Sequence, residues 1–227
     1  MAFLFQLLAV GKGFSRCHYQ FFYAKGICAE IFDMKSLESK KKMTVPFTDE
    51  TLMKVTDKKK VDKIKGIEWF SNKNMYITET GELIMVLEKE YTLTKSYFDQ
   101  TMHTQKTEYY TVEEDIICLK IKNDGSSAQT VIKRNTKDQS IYDYMLSCAT
   151  FYEKGKLYVM YNEGTGWFRL MNRVFDENMK EVKSEEFKTY KDHDVYLAIR
   201  HARKIKEGEY KVFGREGKKV SSVLIKF

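Results

Sequence analysis

Apolar residues along this chain come in short, strand-length runs separated by polar turns. The clearest pair is Lys156-Leu157-Tyr158-Val159-Met160-Tyr161, a polar loop, then Leu170-Met171-Asn172-Arg173-Val174-Phe175-Asp176-Glu177-Asn178. A similar pair closes the chain. It runs Gly208-Glu209-Tyr210-Lys211-Val212-Phe213-Gly214, a turn at Glu216-Gly217, then Ser222-Val223-Leu224-Ile225-Lys226-Phe227. A third runs from 81–88 to 115–122 and ends in the turn Asn123-Asp124-Gly125. Runs of this length, bounded by Gly, Asn and Asp, predict β-strands. Further strands are predicted at 4–10, 20–24, 27–34, 67–70 and 75–78. Ile31-Phe32-Asp33-Met34-Lys35 has the same shape as Val174-Phe175-Asp176-Glu177-Asn178, which extends the pattern toward the N-terminus.

Two stretches depart from this rhythm. Thr48-Asp49-Glu50 is a helix-start signal, and Leu52, Val55, Val61 and Ile64 fall near helical spacing, so 48–65 is predicted as a short helical insert. Residues 91–113 are rich in Thr, Tyr and Lys and have no apolar period. They are expected to form a long surface loop or an irregular hairpin, and loops of such length are often functional.

The matching strands end near residues 33, 123, 177 and 227, and the last two intervals are about 50 residues, a period expected of propeller blades. The expected fold is all-β: a partial or small β-propeller of about four antiparallel blade-like units within one domain spanning 1–227. An irregular β-sandwich is the alternative. Because the chain stops on an apolar strand, 223–227 is expected to be hydrogen-bonded into a closing sheet, or further blades lie upstream. Without a partner, that strand would be an aggregation-prone edge.

The segment 81–227 resembles the uncharacterised propeller-like proteins of Bacteroidetes and related bacteria. The run that carries the likeness is Glu88 with Tyr91, Asp115-Ile116-Ile117, Lys120-Ile121, Asn123-Asp124-Gly125, Lys137 and Gln139, Tyr144 with Ser147, and Tyr161-Asn162-Glu163. The chain departs from that pattern in three places. No Trp follows Gly125, no Pro lies in 137–139, and Glu163 stands where Asp is usual. The resemblance implies a propeller of envelope or secreted type and no established reaction.

Composition narrows the function more than the fold. Of 227 residues, 43% are apolar and 14% aromatic, as expected of a folded chain. The net charge of +7 rests on 32 Lys against 7 Arg. Lys is the generic solvated cation, whereas phosphate and base readout recruit the Arg fork. The runs Lys40-Lys41-Lys42 and Lys58-Lys59-Lys60 are therefore read as solvated loop or helix faces, and no nucleic-acid partner is expected. Cys17, Cys28, Cys118 and Cys148 lack metal-ligand spacing and are read as free thiols. The apolar stretch 1–10 lacks a basic n-region and is too short to span a bilayer, so no transmembrane segment is expected.

Candidate chemistry is sparse. Glu88, Glu90, Glu113, Glu114 and Asp115 cluster at strand ends, where a glycosidase would need a carboxylate pair. Strand-end acids are also common turn and rim residues. Asp192-His193-Asp194 is the only His flanked by acids, but strand alternation sends neighbours to opposite faces. Ser147-Cys148 lacks a nucleophile elbow, and the glycines of Gly11-Lys12-Gly13 and Glu163-Gly164-Thr165-Gly166 are read as loop glycines. Tyr97, Phe98, Tyr109 and Tyr110 could stack on a sugar or peptide. The expectation is a non-catalytic binding or scaffold module for a protein or glycan partner. Its candidate binding residues are Glu88, Tyr97, Tyr109, Tyr110, Asp115, Lys137, Gln139 and Asn162, and no metal or cofactor is expected. A glycan-active hydrolase using strand-end carboxylates is the alternative.

Overall fold

A computed structural model describes residues 2–9, 23–32, 36, 38–134, 136–139, 146–165, 169–187, 196–216 and 219–226. Among them the chain is all-β apart from one helix and a single 3-10 turn. The strands follow one another as antiparallel meanders. The first, sheet A, holds β1 (Ala2–Ala9), β2 (Ala24–Phe32) and β3 (Ser39–Pro46). Sheet B holds β4 (Phe70–Ile77), β5 (Leu83–Asp99), β6 (Thr104–Ile121) and β7 (Ser127–Ile132). Then β8 (Thr136–Gln139) runs antiparallel to β6 on one side and parallel to β10 on the other. Sheet C holds β9 (Ala149–Glu153), β10 (Lys156–Thr165), β11 (Arg169–Phe175) and β12 (Glu181–Phe187). Sheet D holds β13 (Tyr196–Lys206), β14 (Glu209–Glu216) and β15 (Lys219–Lys226).

Alternation along the strands explains how the sheets stack. Leu83, Met85 and Leu87 of β5 and Ile117, Leu119 and Ile121 of β6 form a core with Ile27, Ala29 and Val45 of sheet A. The intervening residues Ile84, Val86, Ile116 and Cys118 face the other way, onto Leu157, Val159, Tyr161 and Phe175 of sheet C. Met160 and Leu170, on the far face of sheet C, meet Ile199, Val212 and Ile225 of sheet D. Sheets B and C are thus covered on both faces. Their central strands read as continuous apolar runs rather than as polar-apolar alternation. Each fully buried Leu or Ile contributes about 1.5–3 kcal/mol, so these three interfaces hold the stack together.

The helix α1 (Asp49–Thr56) fills the end of the first core with Leu52 and Val55. The Thr48 side chain accepts from the Thr51 backbone N–H, acids lie in its first turn, and Asp57 closes it in the left-handed region. Two features differ from expectation. The Lys40-Lys41-Lys42 run lies in β3 at the edge of sheet A rather than in a loop or helix face, and Lys on an edge strand discourages further pairing. Gly164 lies within β10 at φ 124° rather than in a loop, pairing with Thr136 of β8. The strand β15 pairs only with β14 among the described residues. No helix among the described residues is long and apolar enough to cross a membrane.

Candidate functional site

Of the two forms expected for 91–113, the structure shows the hairpin and not the loop. These residues complete β5 and β6, which pair in register from Leu83↔Ile121 out to Asp99↔Thr104. Thr and Tyr suit a pleated backbone even where no core asks for apolar alternation. The 17-residue β5 and 18-residue β6 are far longer than their neighbours, so the hairpin overshoots sheet B. The overshoot from Tyr91 to Asp99 reaches about 30 Å at ~3.3 Å per residue.

The register breaks at the base of this arm. Glu88 pairs with Ile116, and the next pair is Glu90↔Glu113, so Glu114 and Asp115 together oppose the single Lys89. Such a bulge re-aims side chains. Glu113 consequently lies on the same face as Ile116 and Glu88, toward sheet C. Glu114 and Asp115 both turn the other way, to Lys89 at 2.5 Å and Lys133 at 2.8 Å.

Between sheets B and C the bulge builds a buried ionic cluster around Arg134. Its Nη2 donates to Glu88 Oε1 at 2.6 Å and to Glu113 Oε2 at 3.0 Å. Its Nε donates to the Glu114 carbonyl at 3.2 Å, and its Nη1 to the Leu146 carbonyl at 2.9 Å. The guanidinium also stands 5.6 Å from the Tyr161 ring centroid, and the Tyr161 hydroxyl accepts from Arg173 at 2.9 Å. Glu88 further accepts from Ser147 Oγ at 2.7 Å, the Cys148 backbone N–H at 3.0 Å and Lys73 at 3.1 Å. The turn at 146–148 is therefore pinned to sheet B by its polar atoms.

Glu88 and Glu113 are both 0% exposed, yet they differ electrostatically. For Glu88, burial pushes the carboxyl up, but Arg134, Lys73 and the Ser147 hydrogen bond outweigh it and hold it below the usual range. Among the described residues Glu113 has one hydrogen-bond partner, Arg134, and its Oε1 has none. Burial, then the charge of Glu88, pushes its carboxyl up to about 8 against Arg134 and Lys73. Asp115 is also pushed up, burial outweighing its bond to Lys133.

The expected site residues thus fall into separate places. Glu88 and Asp115 lie inside the fold, not on a rim, and their partners are intramolecular donors. Tyr97, Tyr109 and Tyr110 lie on the projecting hairpin. Tyr97 donates to Glu108 Oε1 at 2.9 Å and Tyr110 to Glu108 Oε2 at 2.6 Å, while Tyr109 and Phe98 are 54% and 60% exposed. The backbones of Lys137 and Gln139 pair with Val112 and Tyr110 through β8; their side chains, like His193 and Tyr144, lie outside the described residues. Asn162 is buried in β10, where its carbonyl accepts from Thr136 Oγ1 at 2.9 Å. Arg134 was not among the candidates. The available signal was scarcity: an Arg in a Lys-rich chain, two residues after Val131-Ile132, fits a buried fork.

Cys118 and Cys148 are free and lie in the core between sheets B and C, and burial pushes both thiols far up. Comparison of the chain with protein-family models, with curated proteins and with solved structures returns no match.

Proposed function

We propose that this chain is a β-propeller-like binding module that engages a partner protein through its projecting hairpin and carries out no chemistry itself. The propeller reading is supported by four successive antiparallel meanders whose faces share three apolar interfaces in chain order. The carrying observation for binding is the arm. Among the described residues, β5 beyond Glu90 pairs with β6 alone, and β6 has β8 beside it as far as Tyr110. Among the described residues both outer edges of 94–99 and 104–109 therefore offer unpaired backbone groups, the feature that strand addition uses. Phe98, Met102 and Tyr109 supply exposed anchors along it.

The carboxylates argue against a hydrolase. Glu88 and Glu113 share one guanidinium nitrogen and have no exposure to a substrate, whereas a glycosidase pair must flank a bond in a cleft. The test replaces residues 94–109 with an Asn-Gly turn. Peptides selected from a displayed library on the wild-type chain are expected to lose the shortened form. Peptides that hold both forms equally would overturn the reading. So would turnover of aryl glycosides that disappears in Glu88→Gln.

A further inference from the structure

A crevice of about 390 Å³ opens on the far face of sheet C, between β10, β11, β12 and Lys226 of β15. Its size lies within the ~300–1,000 Å³ range of small-ligand sites. Three observations specify what would fill it. The first is charge: Lys156, Lys183 and Lys226 line it against the single carboxylate of Glu185. Lys183 pairs with Glu185 at 2.7 Å and Lys226 with Glu209 at 3.3 Å, and no pair is formed by Lys156 among the described residues. The second is Asn172, which is 0% exposed. Its Nδ2 donates to Glu185 Oε1 at 2.9 Å, but its Oδ1 has no donor among the described residues. A buried amide oxygen without a donor costs about 1–3 kcal/mol, which a ligand O–H would recover. The third is the apolar wall of Tyr158, Val174, Val182 and Phe187.

From these we infer that the crevice binds an acidic saccharide, one sugar residue bearing a carboxylate beside its hydroxyls. The anion meets the lysine ammonium groups, a hydroxyl donates to Asn172 Oδ1, and the C–H face of the ring lies on Tyr158 and Phe187. An acidic peptide would bring anions and N–H donors but no flat apolar face beside them. Glu185 is bonded to Asn172 Nδ2 and to Lys183, so docking moves its carboxylate toward the Lys183 ammonium and opens the amide to the ligand. This site is on sheet C and is independent of the arm on sheet B, so either assignment can fail alone.

Calorimetric titration of the full chain with tetragalacturonic acid tests it, with neutral maltotetraose and a tetraglutamate peptide as controls. The acidic saccharide alone is expected to bind, more weakly as salt rises. The exposed substitutions Lys156→Glu and Lys183→Ala are expected to weaken it by about tenfold each, with circular dichroism unchanged. Asn172→Leu is expected to weaken it further. Absence of binding at millimolar tetragalacturonate would overturn the proposal. So would equal binding of maltotetraose or tetraglutamate, or binding that Lys156→Glu leaves unchanged.

Discussion

Below Glu90 the β5–β6 hairpin is enclosed by sheet A on one face and sheet C on the other; past the half-buried Tyr91 and the buried Val112, the same two strands run out into water. The lower half carries the costly groups. Arg134, Glu88 and Glu113 are wholly buried, and Lys73 nearly so, which is tolerable only because each charge has a fixed partner. The upper half also has an ion pair, Lys106 with Asp99 at 2.5 Å, and hydrogen bonds from two tyrosine hydroxyls to Glu108, but these are solvated. Similar contacts in one pair of strands thus carry very different weight. Burial, not the number of charged contacts, decides which of them the fold depends on.

The strongest way to break this contrast is Arg134→Met. It takes the guanidinium from the ionised Glu88, leaving that buried charge to Lys73 alone and the Glu113 carboxyl without a donor, and a loss of about 3–5 kcal/mol is expected in denaturant unfolding. Next in size is a pH effect. The Glu113 carboxyl, pushed up to about 8, stays protonated in the folded chain while the unfolded chain ionises near the ordinary value of 4.5. Its contribution is therefore fully present below the unfolded value and is lost as pH rises toward 8, with a slope of at most about 1.4 kcal/mol per unit. Glu88, held low, works in the opposite sense and loses its contribution only in acid. The stability difference between wild type and Glu113→Gln, followed from pH 5 to 8 by urea unfolding, is expected to grow in favour of the variant.

The upper half should respond far less. Replacing 94–109 with Asn-Gly is expected to move the melting temperature by no more than about 2–4 °C, because no core contact is lost. Amide exchange sharpens the same point: amides beyond Thr94 should exchange orders of magnitude faster than those of 84–88 and 116–121. Smallest of all, Tyr97→Phe removes one hydroxyl from Glu108, and no measurable change in melting temperature is expected.

The two halves also differed in how far they could be read in advance. Ile84-Met85-Val86-Leu87 and Ile116-Ile117-Cys118-Leu119 announce strands, since a run apolar on every residue fits a sheet covered on both faces. The arm was harder. Thr92, Thr94 and Ser96 alternate with Leu93, Lys95 and Tyr97, a period of two that apolarity alone does not display. The acids of the ionic cluster were visible as a group, but their burial and their pairing were not. Glu113, Glu114 and Asp115 are three consecutive acids, and only the pairing with Lys89 separates the one that enters the core from the two that turn away. Arg134 joins Glu88 across 46 positions, a distance at which local pattern is silent.

That bulge has a consequence for descent. A strand that gains one residue would ordinarily turn every later side chain to the wrong face. By setting Glu114 and Asp115 against Lys89 alone, β6 absorbs the odd residue and keeps Glu113, Thr111 and Tyr109 on the face of Ile116. Above that point the hairpin can lengthen or shorten only in matched pairs. Relatives of this chain with longer or shorter arms should differ by even totals there, and an odd difference should coincide with a lost or a second bulge.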